Sequence, residues 1–316
     1  MQNYKLSVIV PCYNEEDVVA KFYKELLSAL DSMREDLSSV EVLFINDGSK
    51  DKTKEEILNL QPKSDSYVES KLINFSRNFG KESALLCGLR ECKGDIAVII
   101  DADLQMPPSF MKTLLETYKT GKYDMVYTKR PNRPEGALRK VLTKIYYSVY
   151  NSLVDVKIEH NVLDYRLLSR KVIDAILEVG EYHRFSKGIF AWVGFSSICL
   201  ICPFEERAGG VSKFNLRKLF SYGLSGVVSF STLPLKVAFY VGFVISLLSF
   251  LYGIYMIVNT LAFGNPVKGY PSIIVIILFM GGIQIMILGI IGEYIARIYE
   301  QVKNRPPYFI DSQDKV

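Results

Sequence analysis

Gly94-Asp95-Ile96-Ala97-Val98-Ile99-Ile100-Asp101-Ala102-Asp103 is the stretch on which the fold turns. Its apolar part, Ile96 to Ile100, is short, rich in β-branched residues and bounded by Gly94, the pattern of a buried strand. It stops at two carboxylates one residue apart. In open α/β sheets, ligands bind in the crevice outside the carboxyl ends of the strands, so this acidic pair stands where a ligand is expected. Carboxylates alone repel a phosphate. With a hard divalent cation between them the repulsion becomes attraction, and Mg²⁺ typically takes one or two carboxylates plus substrate phosphates. The stretch therefore points to a nucleotide diphosphate held through a metal. A solvated loop is the plain alternative, because short D-x-D strings are common.

Outward from this strand, the first 130 residues alternate strand and helix signals. Leu6 to Val10, Val40 to Ile45, Lys71 to Phe75, Asp95 to Ile100 and Asp124 to Thr128 read as strands. Asp17 to Met33 carries apolar residues at helical spacing, with Asn14 as its N-cap and Asp17 three positions later. Ser83 to Glu91 and Pro108 to Lys119 read as further helices, the second opened by Pro107-Pro108. Such alternation predicts an α/β fold with a doubly wound, mostly parallel, Rossmann-like sheet.

Hydropathy sets the remaining organisation. Of the 316 residues 49% are hydrophobic, and the excess is concentrated near the carboxyl end. Val237 to Val267 and Gly269 to Gly292 contain no charged residue, and each run exceeds the roughly 20 apolar residues that cross a bilayer. A transmembrane hairpin at 234–298 is predicted, with spans at about 237–261 and 271–293. Lys213, Arg217, Lys218 and Lys236 precede it and Arg297, Lys303 and Arg305 follow it, whereas the connecting loop offers only Lys268. Basic flanks stay in the cytoplasm, so both termini are expected there, in an inner (plasma) membrane protein. The amino end moves directly into a strand-like stretch without a signal peptide. Five cysteines fit a reducing compartment. Cys199 and Cys202 have C-x-x-C spacing but no second pair, so core packing is expected of them. With only His160 and His183 in the chain, a histidine-built metal site is not expected.

Two segments mix Lys or Arg with Tyr, Phe, Leu and Val at helical spacing, as interfacial helices do. They are 139–156 and a juxtamembrane segment at 213–233. The predicted organisation is thus a catalytic domain at 1–212, the juxtamembrane helix, the hairpin and a cytoplasmic tail at 299–316. No nucleic-acid partner is expected. Gly281-Gly282 and Gly289 would allow helices of different copies to approach closely, so a homo-oligomer is possible.

Four loops then carry a resemblance. Pro11-Cys12-Tyr13-Asn14-Glu15-Glu16 ends the first strand, and Asn46-Asp47-Gly48-Ser49 ends the second. Arg77-Asn78-Phe79-Gly80-Lys81 follows the third, and Asp101-Ala102-Asp103-Leu104-Gln105-Met106-Pro107-Pro108 the fourth. In this order they resemble the nucleotide-sugar loops of inverting family 2 glycosyltransferases, which have a GT-A fold. Arg207 through Lys213 and the terminal hairpin make the chain similar to the polyprenyl-phosphate type, which includes dolichol-phosphate mannose synthase and the bactoprenol glucosyltransferases.

The resemblance implies that Pro11, Tyr13, Glu15, Asp47, Lys81, Asp101 and Ala102 bind the donor nucleotide. It implies that Asp101, Asp103 and Gln105 bind or support Mg²⁺ or Mn²⁺, with Gln105, which could act only through water, ranked below the two aspartates. Asn46 stands where many relatives have a first aspartate, leaving a base contact possible with one charge fewer. Arg130, Arg133, Arg207, Ser212 and Lys213 are the implied acceptor-phosphate contacts; arginine's planar fork suits phosphate oxygens. The implied catalytic set is Asp103, Asp164 and Arg130, although Asp164 could instead form a salt bridge to Arg166. A polyprenyl monophosphate has a second pKa of about 6, so it scarcely needs a general base. Positioning it in line with the anomeric carbon would invert that centre in one displacement. UDP-glucose is the expected donor, with GDP-mannose, UDP-N-acetylhexosamine and UDP-4-formamido-arabinose as alternatives. A processive polysaccharide synthase would carry Q-x-x-R-W, whereas the one tryptophan, Trp192, follows Ile189-Phe190-Ala191. An inactive membrane-anchored scaffold is the other alternative, and the intact carboxylates argue against it.

Overall fold

The computed structural model describes residues 3–60, 67–131, 161–203, 233–263 and 269–316. Arg133, Arg207, Ser212, Lys213, the expected interfacial helix at 139–156 and all but the last residue of the expected helix at 213–233 lie outside the described residues.

All five expected strands form: β1 (Tyr4–Cys12), β2 (Leu37–Asn46), β3 (Val68–Phe75), β4 (Ile96–Ile99) and β5 (Met125–Lys129). Every residue of β4 is buried, as an unbroken apolar run requires when helices cover both faces. Three strands that the alternation did not predict join them: β6 (Val162–Ser169), β7 (Ser197–Ile201) and β8 (Ile310–Lys315). The sheet order is β7-β5-β6-β4-β1-β2-β3-β8.

The sheet is mixed, and six of its eight strands run the same way, so the expected mostly parallel order holds except at β6 and β8. β1–β2, β1–β4, β2–β3 and β5–β7 are parallel. β6 runs against both β4 and β5, and β8 runs against β3. The strand-helix alternation that implies parallel crossovers holds for β1 to β5 and does not extend to β6 and β8.

The helices of this unit are α1 (Val19–Asp31), α2 (Thr53–Leu58), α3 (Lys81–Glu91), α4 (Met111–Lys119), α5 (Arg170–Glu178) and α6 (Ser186–Trp192). A 3₁₀ turn at Pro108–Phe110 leads into α4, so the Pro107-Pro108 start is observed. α1 buries Val19, Phe22, Leu26 and Leu30 at helical spacing, each contributing roughly 2 kcal/mol of burial. It begins at Val19, and Asn14 is not its cap. Asn14 has a φ of 56°; its Oδ1 accepts from the Lys50 N–H at 2.9 Å and its own N–H donates to Ser49 Oγ at 3.0 Å. A left-handed Asn tied to two neighbours fastens the first loop to the second instead of starting a helix. α3 meets β1 at Gly88, where a Cβ would lie 2.2 Å from Ile9 Cγ2. That close approach fixes the helix whose first residue is Lys81.

Cys202 is fully buried and Cys199 lies on β7, both as free thiols. Burial of Cys202 is what core packing requires, and Cys199 is half-buried.

The second unit contains two long helices, α7 (Leu233–Phe263) and α8 (Tyr270–Val302). They touch: a Cβ on Gly242 would meet Ile287 Cδ1 at 3.8 Å. Among the described residues one stretch, Phe279–Val302, is long and apolar enough to cross a membrane, and none of it is buried. Leu247, Leu251, Phe279, Ile285 and Leu288 are large and exposed, and soluble monomers seldom expose large apolar patches. Within the expected tail at 299–316, α8 runs on to Val302, and Pro306–Val316 belongs to the first unit as β8 and its flanks.

Candidate active site

A cleft of about 380 Å³ opens where β1, β2 and β4 end and α3 begins. Pro11, Tyr13, Glu15, Asp47, Lys81, Asp101 and Ala102, the seven residues expected to hold a donor nucleotide, all line it, and Asp103 joins them. Asn78 and Gly80, from the third quoted loop, line it as well. Cys12, from the first quoted loop, also lines it, and Ala84 does so without any signal in the sequence that would mark it. Tyr13 is 40% exposed, so its ring offers a stacking face to a base.

Asn46 is not among the lining residues. It is buried; its Nδ2 donates to Asn74 Oδ1 at 2.9 Å and its Oδ1 accepts from the Ser49 N–H at 3.1 Å. The side chain thus builds the turn and ties β2 to β3, which an amide, being donor and acceptor at once, can do and a carboxylate cannot. Asp47 is also committed: Oδ1 accepts from the Phe79 N–H at 2.7 Å and Oδ2 from the Gly80 N–H at 3.0 Å. Burial pushes its carboxyl up from the ordinary value, against these two amides.

Gly48 makes that turn possible. Its φ is +61°, and a Cβ there would fall 2.4 Å from Arg77 C and 2.5 Å from Asn78 N. Both atoms are backbone, so no rotamer change relieves the overlap. Gly48→Ala is expected to cost about 2 kcal/mol or more from the left-handed backbone and the clash together. Because residues 77 and 78 must move, the KM for the donor should rise about tenfold. Melting curves and initial rates on the purified variant check both figures.

The most heavily charged part of the cleft is Lys81 between two carboxylates. Its Nζ lies 2.8 Å from Asp101 Oδ2 and 2.7 Å from Asp164 Oδ2. The two acids are far apart in sequence and are brought together by the sheet. β4 and β6 are antiparallel with Ile99 opposite Arg166, so two steps onward the register sets Asp101 facing Asp164. The alternative considered for Asp164, a salt bridge to Arg166, is not what forms. Arg166 donates from Nη2 to the Leu163 carbonyl at 2.9 Å and from Nε to the Asp164 carbonyl at 3.3 Å, with its guanidinium 3.8 Å from the Phe190 ring centroid. It braces the backbone of β6 and leaves the Asp164 carboxylate to Lys81.

Burial disfavours the charged Lys81, but Asp101 and Asp164 outweigh it and hold the ammonium well above the ordinary lysine range. Burial likewise opposes ionised Asp164, and Lys81, Lys187 and Arg166 together hold its carboxyl well below the usual range. Asp101 moves the other way, because burial there exceeds the relief from Lys81. Beside this group, Glu82 accepts at 2.9 Å from the Ser186 N–H, pinning the start of α3 against α6.

The pattern of glycosyl transferase family 2 matches residues 7–177, which contain every strand end that shapes the cleft. The chain belongs to glycosyl transferase family 2. A GtrB C-terminal hairpin pattern matches residues 233–298. The bactoprenol glucosyl transferase derived from prophage SfII in Shigella flexneri is 45% identical over 307 residues, covering 97% of each chain. The prophage bactoprenol glucosyl transferase homolog of Escherichia coli K12 is 44% identical, over 97% of this chain and 98% of its own. Among solved structures, a mannosyltransferase from Pyrobaculum calidifontis with GDP-Man and Mn²⁺ aligns at a TM-score of 0.48 and 19% identity, over 72% of this chain and 63% of that one. The protein is a glycosyltransferase, and its Rossmann-like mixed sheet is the GT-A arrangement.

The donor set of this family 2 enzyme suits a hard divalent ion. Asp101 and Asp103 line one wall of the cleft. Among the described residues no group of three or more His, Cys, Asp or Glu forms a site by itself. Two carboxylates with the remaining positions left to phosphate and water is how Mg²⁺ is usually bound. Gln105 is not among the lining residues; its backbone N–H donates to Asp103 Oδ1 at 3.1 Å, so it orients that carboxylate. Arg130 follows β5, with its backbone N–H on the Asn161 carbonyl at 3.0 Å, and is not among the lining residues either.

Proposed function

We propose that this glycosyltransferase moves glucose from UDP-glucose to a polyprenyl phosphate such as undecaprenyl phosphate at the cytoplasmic membrane face, with inversion, to supply cell-envelope glycan modification. The observation that carries the reading is the 45% identity over 97% of the chain to a bactoprenol glucosyl transferase. The cleft supports it with an acidic pair, an aromatic face and an ammonium held among carboxylates.

Tyr13 would stack on the base, Glu15 would accept from base N–H groups, and Pro11 and Ala102 would shape the wall. Asp47 would act through the Phe79-Gly80 loop that it holds. Asp101 and Asp103 would hold Mg²⁺ or Mn²⁺, which when bound supplies positive charge to the departing diphosphate. Asp164, kept ionised by Lys81, lies beside this pair to orient the acceptor side. Arg130, Arg133, Arg207, Ser212 and Lys213 would take the lipid phosphate. The exposed apolar surfaces of α7 and α8 would cross the membrane as a hairpin, with both termini in the cytoplasm, and their glycines would allow packing between copies.

Purified protein incubated with labelled UDP-glucose, undecaprenyl phosphate and Mn²⁺ should yield a monoglycosyl lipid, sensitive to chelation. GDP-mannose, UDP-N-acetylglucosamine and UDP-4-formamido-arabinose offered in parallel should give much slower labelling. A labelled polymer would indicate a processive synthase, and no labelled product from any donor would indicate a scaffold; either result overturns the reading.

A further inference from the structure

Lys81 sits where the proposed metal must bind. Its Nζ is 2.8 Å from Asp101 Oδ2 and 2.7 Å from Asp101 Oδ1, so one ammonium covers both oxygens of that carboxylate. The same nitrogen is 2.7 Å from Asp164 Oδ2. A divalent ion and an ammonium compete for the same face of Asp101, because each repels the other strongly at contact distance. The Lys81 side chain is 43% exposed and lines the open cleft. It therefore has room to withdraw, and Asp164 already gives it a second partner.

We infer that Lys81 is an internal counter-ion that occupies the metal-binding face of Asp101 in the donor-free enzyme and yields it to the ion arriving with the nucleotide diphosphate. The inference rests on the proposed metal-assisted reading of the cleft and adds a coupling to it. Free metal must displace a resident cation from a site with only two carboxylate ligands, so it binds weakly alone. A diphosphate supplies both extra ligands for the metal and negative charge for the displaced ammonium. Loading of metal and loading of donor thus become one event. Lys81 keeps Asp164 throughout, so that carboxylate is never left bare. Without Lys81, the carboxylates of Asp101 and Asp103 line the cleft, and Asp164 stands beside Asp101, with no ammonium on Asp101. Lys187 and Arg166 act on Asp164.

The test is a Mn²⁺ titration followed by electron paramagnetic resonance on the full-length protein in detergent, with and without UDP. Lys81→Met should bind Mn²⁺ about tenfold more tightly than the wild type when UDP is absent. Lys81→Arg, which retains the charge, should stay within about twofold of the wild type. UDP should tighten Mn²⁺ binding more in the wild type than in Lys81→Met. A purely structural ion pair predicts the opposite sign, since loss of Lys81 would loosen the site. Melting curves establish that the variants fold, and Lys81→Gln replaces Lys81→Met if the latter does not. Lys81→Met binding Mn²⁺ no more tightly than wild type without UDP, while both bind it with UDP, overturns this inference alone. Absence of Mn²⁺ binding by either protein under both conditions overturns the metal reading and the inference together.

Discussion

Asp101→Asn and Asp103→Asn are each expected to lower transfer about 10³-fold while leaving the protein folded and membrane-associated. Both side chains stand on the cleft wall at the end of β4, where the charge of a nucleotide diphosphate must be met. Asparagine keeps the shape and removes one of the two carboxylates proposed to hold the metal. A metal ion stabilises a departing diphosphate by several kcal/mol; losing about 4 kcal/mol of that corresponds to about three powers of ten in rate. Stability should change far less. Lys81 loses one partner in Asp101→Asn and keeps Asp164 at 2.7 Å, so no charge is stranded. The Asp103 carboxylate accepts from the Gln105 N–H, and an amide oxygen can replace it there. Circular dichroism, detergent extraction and single-turnover rates on the two variants separate these effects. Near-wild-type turnover by both would remove the metal from the reaction.

The site was more legible than the sheet. Four loops with special chemistry, each directly after an apolar run, are local signals, and they placed Pro11, Tyr13, Asp47, Lys81 and Asp101 in one cleft as found. What stayed hidden depended on partners distant in sequence. Val-Leu-Asp-Tyr-Arg-Leu-Leu-Ser at 162–169 mixes Asp and Arg into its apolar residues, and its reason for being a strand lies in β4 and β5, which flank it. Only that pairing shows Asp164 to be the partner of Lys81, 83 residues away. Asn46 misled for a different reason. Counted as a missing charge it leaves a base contact possible, whereas its two-sided hydrogen bonding makes it the joint between β2, β3 and the turn. Asn14 resembles a cap by position, and its positive φ, which no sequence pattern reports, makes it a loop fastener.

A stop codon after Arg305 is expected to raise the KM for the donor about tenfold and to lower the melting temperature, although it removes no residue that lines the cleft. Ile-Asp-Ser-Gln-Asp-Lys at 310–315 is too polar to read as a strand. It forms β8 because β3 presents an open edge whose amides need partners, and Asn74 Nδ2 reaches Ser312 Oγ at 3.0 Å across it. The segment just before β8 packs against the donor loop. The Tyr308 ring stacks on Phe75 at 4.9 Å, Phe309 lies 6.2 Å from Phe79, and the Pro307 carbonyl accepts from Ser83 Oγ at 3.1 Å. The Phe309 carbonyl also accepts from the Ser76 N–H at 3.1 Å. Phe75, Phe79 and Ser83 bracket Asn78, Gly80 and Lys81, so loss of the segment uncovers Phe75 and frees the loop that carries them. Tyr308→Ala should reproduce most of the KM effect and cost about 2 kcal/mol, as a half-buried ring does when truncated. Tyr308→Phe, which keeps the stack, should behave like the wild type in KM. If the truncated protein retains the wild-type donor KM, β8 and its flank serve only the sheet edge and the donor loop holds itself.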